Sequence, residues 1–159
     1  MSDQDFELSQ FLPYQLAVLA ERVSRRLSVE YGRTHGLNVA EWRVLVHLMR
    51  RREVSVREIH ERVNLDKPRV SRAVSRLEAA GLVEKAAAED DARLVAISLT
   101  PRGMRVLDDI LPSARDVEAN LLTGLSDVEQ AVFLAAIEKL HGVLDDDPEA
   151  RPRSKMDGV

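Results

Sequence analysis

Cysteine is absent from the 159 residues, which excludes disulfide bonds, thiolate nucleophiles, cysteine-based peroxide sensing and thiolate zinc sites. Long apolar runs are lacking too, since charges interrupt every stretch well short of the roughly 20 residues a membrane-spanning helix needs. The start, Met1-Ser2-Asp3-Gln4-Asp5, carries neither the basic nor the apolar part of a secretion signal, so a cytoplasmic location and no membrane partner are expected. There is no glycine-rich phosphate loop and no Ser/His/Asp arrangement in a context that supports catalysis, which speaks against an enzyme. The histidines His35, His47, His60 and His141 follow no metal-ligand spacing, so neither a metal nor another cofactor is expected. No internal repeat is visible.

What is present is the composition of one globular domain spanning residues 1–159, with 45% hydrophobic and 31% charged residues. The net charge of −4 speaks weakly against a nucleic-acid partner, but its distribution is uneven. Residues 50–85 hold ten Lys/Arg against six Asp/Glu, an excess of four, which leaves about eight net negative charges on the rest of the chain. Basic charge is therefore concentrated in the middle third.

Leu12, Leu16, Leu19, Val23, Leu27 and Tyr31 recur every three or four residues and predict a long amphipathic helix, with Pro13 tolerated in its first turn. Asn38 and Glu41 form a capping-box pattern for a second helix facing inward through Trp42, Leu45, Val46 and Met49. Ser55 and Glu58 repeat that pattern for a short third helix, Asn64-Leu65 makes a turn, and Asp66 caps a fourth helix that Gly81 ends in the left-handed conformation. Two short helices joined by a tight turn are a helix-turn-helix. Residues 82–85 and the alternating residues 94–99 predict a hairpin with its loop at 87–92. A long helix follows, opened by Thr100-Pro101 and kinked at Pro112, and then a last helix capped by Ser126 and Glu129. The expected fold is mainly α with a small β-hairpin wing. A winged helix-turn-helix lobe (38–100) is flanked by N- and C-terminal dimerisation helices (10–36 and 101–145), and a polar tail (146–159) is expected to be disordered. The flanking helices have little nearby in sequence to cover their apolar stripes, and isologous packing in a two-fold homodimer would cover them.

Placed at 100° per residue, Val70, Val74 and Leu77 lie on the core side of the fourth helix. Pro68, Arg72, Ser75 and Arg76 lie opposite, with Arg69 and Ser71 on the flanks and Lys67 at the amino end. No acidic residue occurs from Lys67 to Leu77. A helix of this kind suits duplex DNA, because the major groove admits one helix, guanine edges accept bidentate arginine, and phosphates favour cations and a helix amino terminus. Charge runs are more often plain solvated faces. The preceding capped helix, the glycine stop and the hairpin directly after it favour the DNA reading here.

The chain resembles the MarR (multiple-antibiotic-resistance regulator) family. The likeness is carried by Asn38-Val-Ala-Glu-Trp-Arg-Val-Leu45, Ser55-Val-Arg-Glu-Ile59, Val70-Ser-Arg-Ala-Val-Ser-Arg-Leu-Glu-Ala-Ala-Gly-Leu-Val83, Asp91-Ala-Arg93 and Ile97-Ser-Leu-Thr-Pro-Arg-Gly103. It implies a triangular homodimer reading a pseudo-palindromic operator in double-stranded DNA, usually as a repressor. It also implies that Arg93 enters the minor groove, held by Asp91, although an exposed ion pair of little consequence is the plainer alternative for these two. Ala86-Ala87-Ala88-Glu89-Asp90 departs from the family at the wing tip, where many members are basic, so the wing should contribute few phosphate contacts. The resemblance further suggests a small aromatic acid or phenolic effector, for which Tyr14, His35, Trp42 and Arg43 are the candidates, against their reading as core and junction residues. A winged-helix module that docks another protein stays open as an alternative function. The outward arginines of the fourth helix argue against it.

Overall fold

The computed structural model describes residues 6–51, 53–88 and 93–154. Among them a short 3-10 turn, Leu8–Gln10, precedes α1 (Leu12–His35), α2 (Val39–Arg50), α3 (Val56–Arg62) and α4 (Lys67–Ala79). The hairpin β1 (Val83–Ala87) and β2 (Val95–Leu99) follows, then α5 (Pro101–Leu122) and α6 (Asp127–Asp145).

Most helix ends form where the polar side chains place them. Asn38 and Glu41 close a full capping box on α2, as Ser126 and Glu129 do on α6. Ser55 accepts the Glu58 N–H, which is the first half of the expected box on α3. Gly81, at φ 73°, follows the end of α4. The Leu82 N–H reaches Leu77 O at 2.9 Å and the Gly81 N–H reaches Glu78 O at 2.9 Å, the paired bonds of a Schellman stop. α5 carries Pro112 in its interior.

The core gathers Tyr31, Leu45, Ile59, Leu77, Ile97, Leu107 and Ile110 from α1 through α5, so α2–α4 and the hairpin are packed on the inner halves of α1 and α5. The strands pair antiparallel, Val83 opposite Leu99 and Ala87 opposite Val95. Pairing therefore runs past the expected strand end at 85 and into the expected loop, because the ladder continues through the Ala88 N–H to Leu94 O at 2.9 Å. A third short partner completes the sheet: Val54 and Ile97 exchange both backbone bonds, at 3.1 and 2.8 Å, which anchors the wing to the segment between α2 and α3. Burial along β2 falls on the adjacent pair Ala96 and Ile97 instead of alternating from Val95, which is exposed.

Gly103 explains the glycine of the Thr-Pro-Arg-Gly segment. A β-carbon there would stand 2.1 Å from Leu82 O, 3.0 Å from Leu82 C and 3.1 Å from Leu99 Cδ2. Backbone cannot yield as a flexible side chain can, so Gly103→Ala is expected to destabilise the fold by about 1–3 kcal/mol. Thermal denaturation checks this, and an unchanged melting temperature would contradict the close approach.

The outer halves of the long helices are left without cover. Leu12, Leu16 and Leu19 on α1 are exposed. No residue of α6 is buried, with Val128 72% and Val132 63% exposed. Over its described residues the tail makes a few contacts with α6 and within itself. The Asp147 N–H bonds Leu144 O at 3.2 Å, the Ala150 N–H bonds Asp147 O at 3.0 Å, and Arg153 grips both Glu138 oxygens at 2.9 and 2.8 Å. The Arg153 guanidinium meets the Glu138 carboxylate as a two-pronged fork. Residues 155–159 lie outside the described part.

Candidate DNA interface and effector cleft

α4 is positioned from both ends and from behind. Asp66 Oδ1 accepts the Arg69 N–H at 2.8 Å, and Pro68 sits in the first turn. In the α3–α4 turn Asn64 takes φ 54°, a left-handed conformation that asparagine tolerates better than most residues. The turn is held by the His60 Nδ1 contact to Leu65 O at 2.6 Å and by Arg43 Nη1, which donates to Val63 O at 3.2 Å and Asn64 O at 3.5 Å. Val70, Ala73, Val74 and Leu77 are buried beneath the helix. Lys67, Pro68, Arg69, Ser71, Arg72, Ser75 and Arg76 are all exposed, so the structure brings these predicted residues together on one outward surface.

Arg76 differs from the other arginines on that face. Its Nε donates to Glu41 Oε1 at 2.6 Å, so this side chain joins α4 to the start of α2. Sequence reading finds Glu41 as a helix cap but gives no sign of this second contact, because the partners are 35 positions apart. On the wing, Arg93 is exposed in the turn that leads into β2. Asp91, its expected partner, lies outside the described residues. Lys85 Nζ stands 3.7 Å from Glu78 Oε1 and ties the wing to the end of α4.

The four effector candidates are not gathered in one place. Trp42 and Arg43 line a cleft of about 700 Å³ between α2, the α3–α4 turn, the end of α6 and the tail, together with His47, Arg62, His141 and Arg153. Trp42 is itself buried and stacks on Tyr31 with centroids 5.3 Å apart and planes 13° apart, so it also serves the core. Burial pushes the Tyr31 phenol up from its ordinary pKa, opposed by the positive charge of Arg43. Arg153 holds the Glu138 carboxyl below the usual carboxylate range through their hydrogen bonds, against a smaller opposing effect of desolvation. Tyr14 and His35 do not line the cleft. Tyr14 is exposed near the start of α1, and His35 Nε2 lies 3.8 Å from Asp109 Oδ2. Among the described residues no cluster of His, Asp or Glu could hold a metal ion, and no helix is long and apolar enough to cross a membrane.

A capped helix pair with a locked turn, an outward cationic face on the second helix and a hairpin bridged back onto the lobe define a winged helix-turn-helix protein. A model described as the MarR family matches residues 35–94. The chain is 32% identical to the MarR family transcriptional regulator SPO1453 from Silicibacter pomeroyi DSS-3, covering 89% of this chain and 100% of that one, with a TM-score of 0.74. It belongs to the MarR family of transcriptional regulators. The PcaV transcriptional regulator from Streptomyces coelicolor, solved with its natural ligand, is 25% identical over 89% of this chain and 98% of that one, with a TM-score of 0.72. Sco3205, a MarR family regulator from Streptomyces coelicolor solved in complex with DNA, shares the fold at a TM-score of 0.75 and 24% identity, covering 91% of this chain and 92% of that one.

Proposed function

We propose that the protein is a homodimeric repressor that reads a pseudo-palindromic operator and releases it when a small aromatic or phenolic acid binds. The observation that carries this reading is the outer face of α4, where Lys67, Arg69, Arg72 and Arg76 are exposed beside Pro68, Ser71 and Ser75 with no acid among them. Such a face can enter a major groove while the buried side keeps the helix seated on the lobe. Arg69 and Arg72 are assigned to base edges. Lys67, Ser71, Ser75 and Arg76 are assigned to phosphates, with Pro68 in the first turn at the amino end. Arg93 is assigned to the minor groove, with Asp91 orienting it. The exposed apolar residues of α1 and α6 support a two-fold dimer through these helices, which presents two copies of α4 to two half-sites. Sco3205 offers a precedent for this fold on DNA, and PcaV one for a bound natural ligand.

The effector is assigned to the cleft beside Trp42 and Arg43, whose basic lining suits a carboxylate and whose aromatic wall suits a ring. Tyr14 and His35 lie outside it and are not assigned. Binding there acts only if the ligand prefers one spacing of the two lobes over the other.

The test is selection of genomic fragments by the purified protein. The expected product is an inverted repeat whose half-site centres lie about 34 Å apart, one helical turn. No enriched sequence would count against the proposal. On the recovered site, Arg93→Ala should lose affinity chiefly where the flanks are A·T-rich, because a narrow minor groove concentrates negative potential. Equal loss on all flanks would move Arg93 to a phosphate.

A further inference from the structure

Glu41 is a carboxylate with more connections than a helix cap requires. Its side chain is only 8% exposed. Oε2 accepts the Asn38 N–H at 3.1 Å, and Oε1 accepts from Asn38 Nδ2 at 3.3 Å and from Arg76 Nε at 2.6 Å. Asn38 Oδ1 in turn accepts the Glu41 N–H at 2.9 Å. The same buried group therefore closes the start of α2, just after the α1–α2 junction, and holds an arginine on the outer face of α4.

The arginine so held is 55% exposed and lies in the later half of the helix. Base edges are read mainly by the amino-terminal residues of a recognition helix. A guanidinium offers five N–H donors, and the contact with Glu41 uses the one on Nε, which leaves the terminal nitrogens for another acceptor. A carboxylate that fixes one edge of a guanidinium also fixes the direction of the other.

We propose that Glu41 is a positioning residue for operator binding: it sets the Arg76 guanidinium, and with it the seating of α4 on α2, so that Arg76 meets a phosphate already oriented. This rests on the reading that α4 faces DNA. Glu41 never touches DNA in this account. Its effect runs opposite to its charge, since a carboxylate near a polyanion should by simple electrostatics weaken binding.

That difference in sign makes the test. Glu41→Gln keeps an acceptor for the helix cap and removes the negative charge. Operator affinity of the full-length protein is measured for Glu41→Gln, Arg76→Lys and the double variant, each verified as folded by thermal denaturation and compared at a temperature well below melting. Glu41→Gln is expected to weaken operator binding about tenfold, the scale of a lost charge-assisted contact. The slope of log affinity against log salt should become shallower by about one phosphate contact. Arg76→Lys keeps a cation beside the buried carboxylate, which favours folding, but lacks the Nε fork and should lose a similar amount. The double variant should lose no more than either single one.

Wild-type or tighter binding by folded Glu41→Gln, or full activity of Arg76→Lys, would overturn the proposal and leave the pair a structural bridge. If the wild-type protein itself shows no operator preference, the reading of α4 fails and this inference falls with it. Arg72→Ala separates the two failures, because it probes α4 without touching Glu41.

Discussion

Val132→Asp is expected to turn the proposed dimer into a monomer and to cost at least about a hundredfold in operator affinity, at the lower end of what joining two binding modules contributes. Val132 is 63% exposed on a helix that buries none of its residues, so it does little for the packing of its own chain. Against a second copy of α1 and α6, an aspartate there would be an unpaired buried charge, which is strongly unfavourable. Each half-site would then have to be found separately. Sedimentation and operator titration check both parts together. A variant that remains dimeric with wild-type affinity would show that α6 is not the interface.

Arg72→Ala is expected to weaken binding by about 1–3 kcal/mol per half-site and to relax the base preference at one position in each. Arg72 stands in the middle of α4, exposed, on the side opposite the buried Val70, Val74 and Leu77. Arg76, one turn further on, has its Nε engaged by Glu41 and is assigned to the backbone. Loss of affinity should therefore come with loss of discrimination for Arg72→Ala, and without it for Arg76→Lys. Melting temperature and dimerisation should be unchanged for Arg72→Ala, since it supports no core packing. Binding to sites mutated at each position gives the profile. A uniform loss over all sites would reassign Arg72 to a phosphate.

Local chemistry was the legible part of this molecule. Asn38, Ser126, Asp66 and Thr100 cap the helices they precede, and Gly81 stops α4, because each bond closes within a few residues. The outward set on α4 was legible for the same reason, since one helical period fixes which side chains share a face. Contacts between distant segments were not. Glu41 reaching Arg76, Arg43 supporting the helix-turn-helix elbow and Val54 pairing with Ile97 depend on how the elements pack. The contact of Arg153 with Glu138, 15 positions away on α6, is of the same kind. The effector candidates show this most clearly: Trp42 and Arg43 on α2 line a cleft, whereas Tyr14 and His35 lie at opposite ends of α1 and away from it, because sequence position says nothing about which way a cleft opens.

The role proposed for α4 is the selection of one DNA sequence. The most direct measurement is the ratio of its affinities for the recovered operator and for a scrambled duplex of equal length, at one physiological salt concentration. Electrostatic attraction is shared by both duplexes and cancels in the ratio, which isolates base and shape readout. The account predicts a ratio of at least about 10³ for the wild-type protein, falling steeply for Arg72→Ala. A ratio near one for the wild type would contradict it.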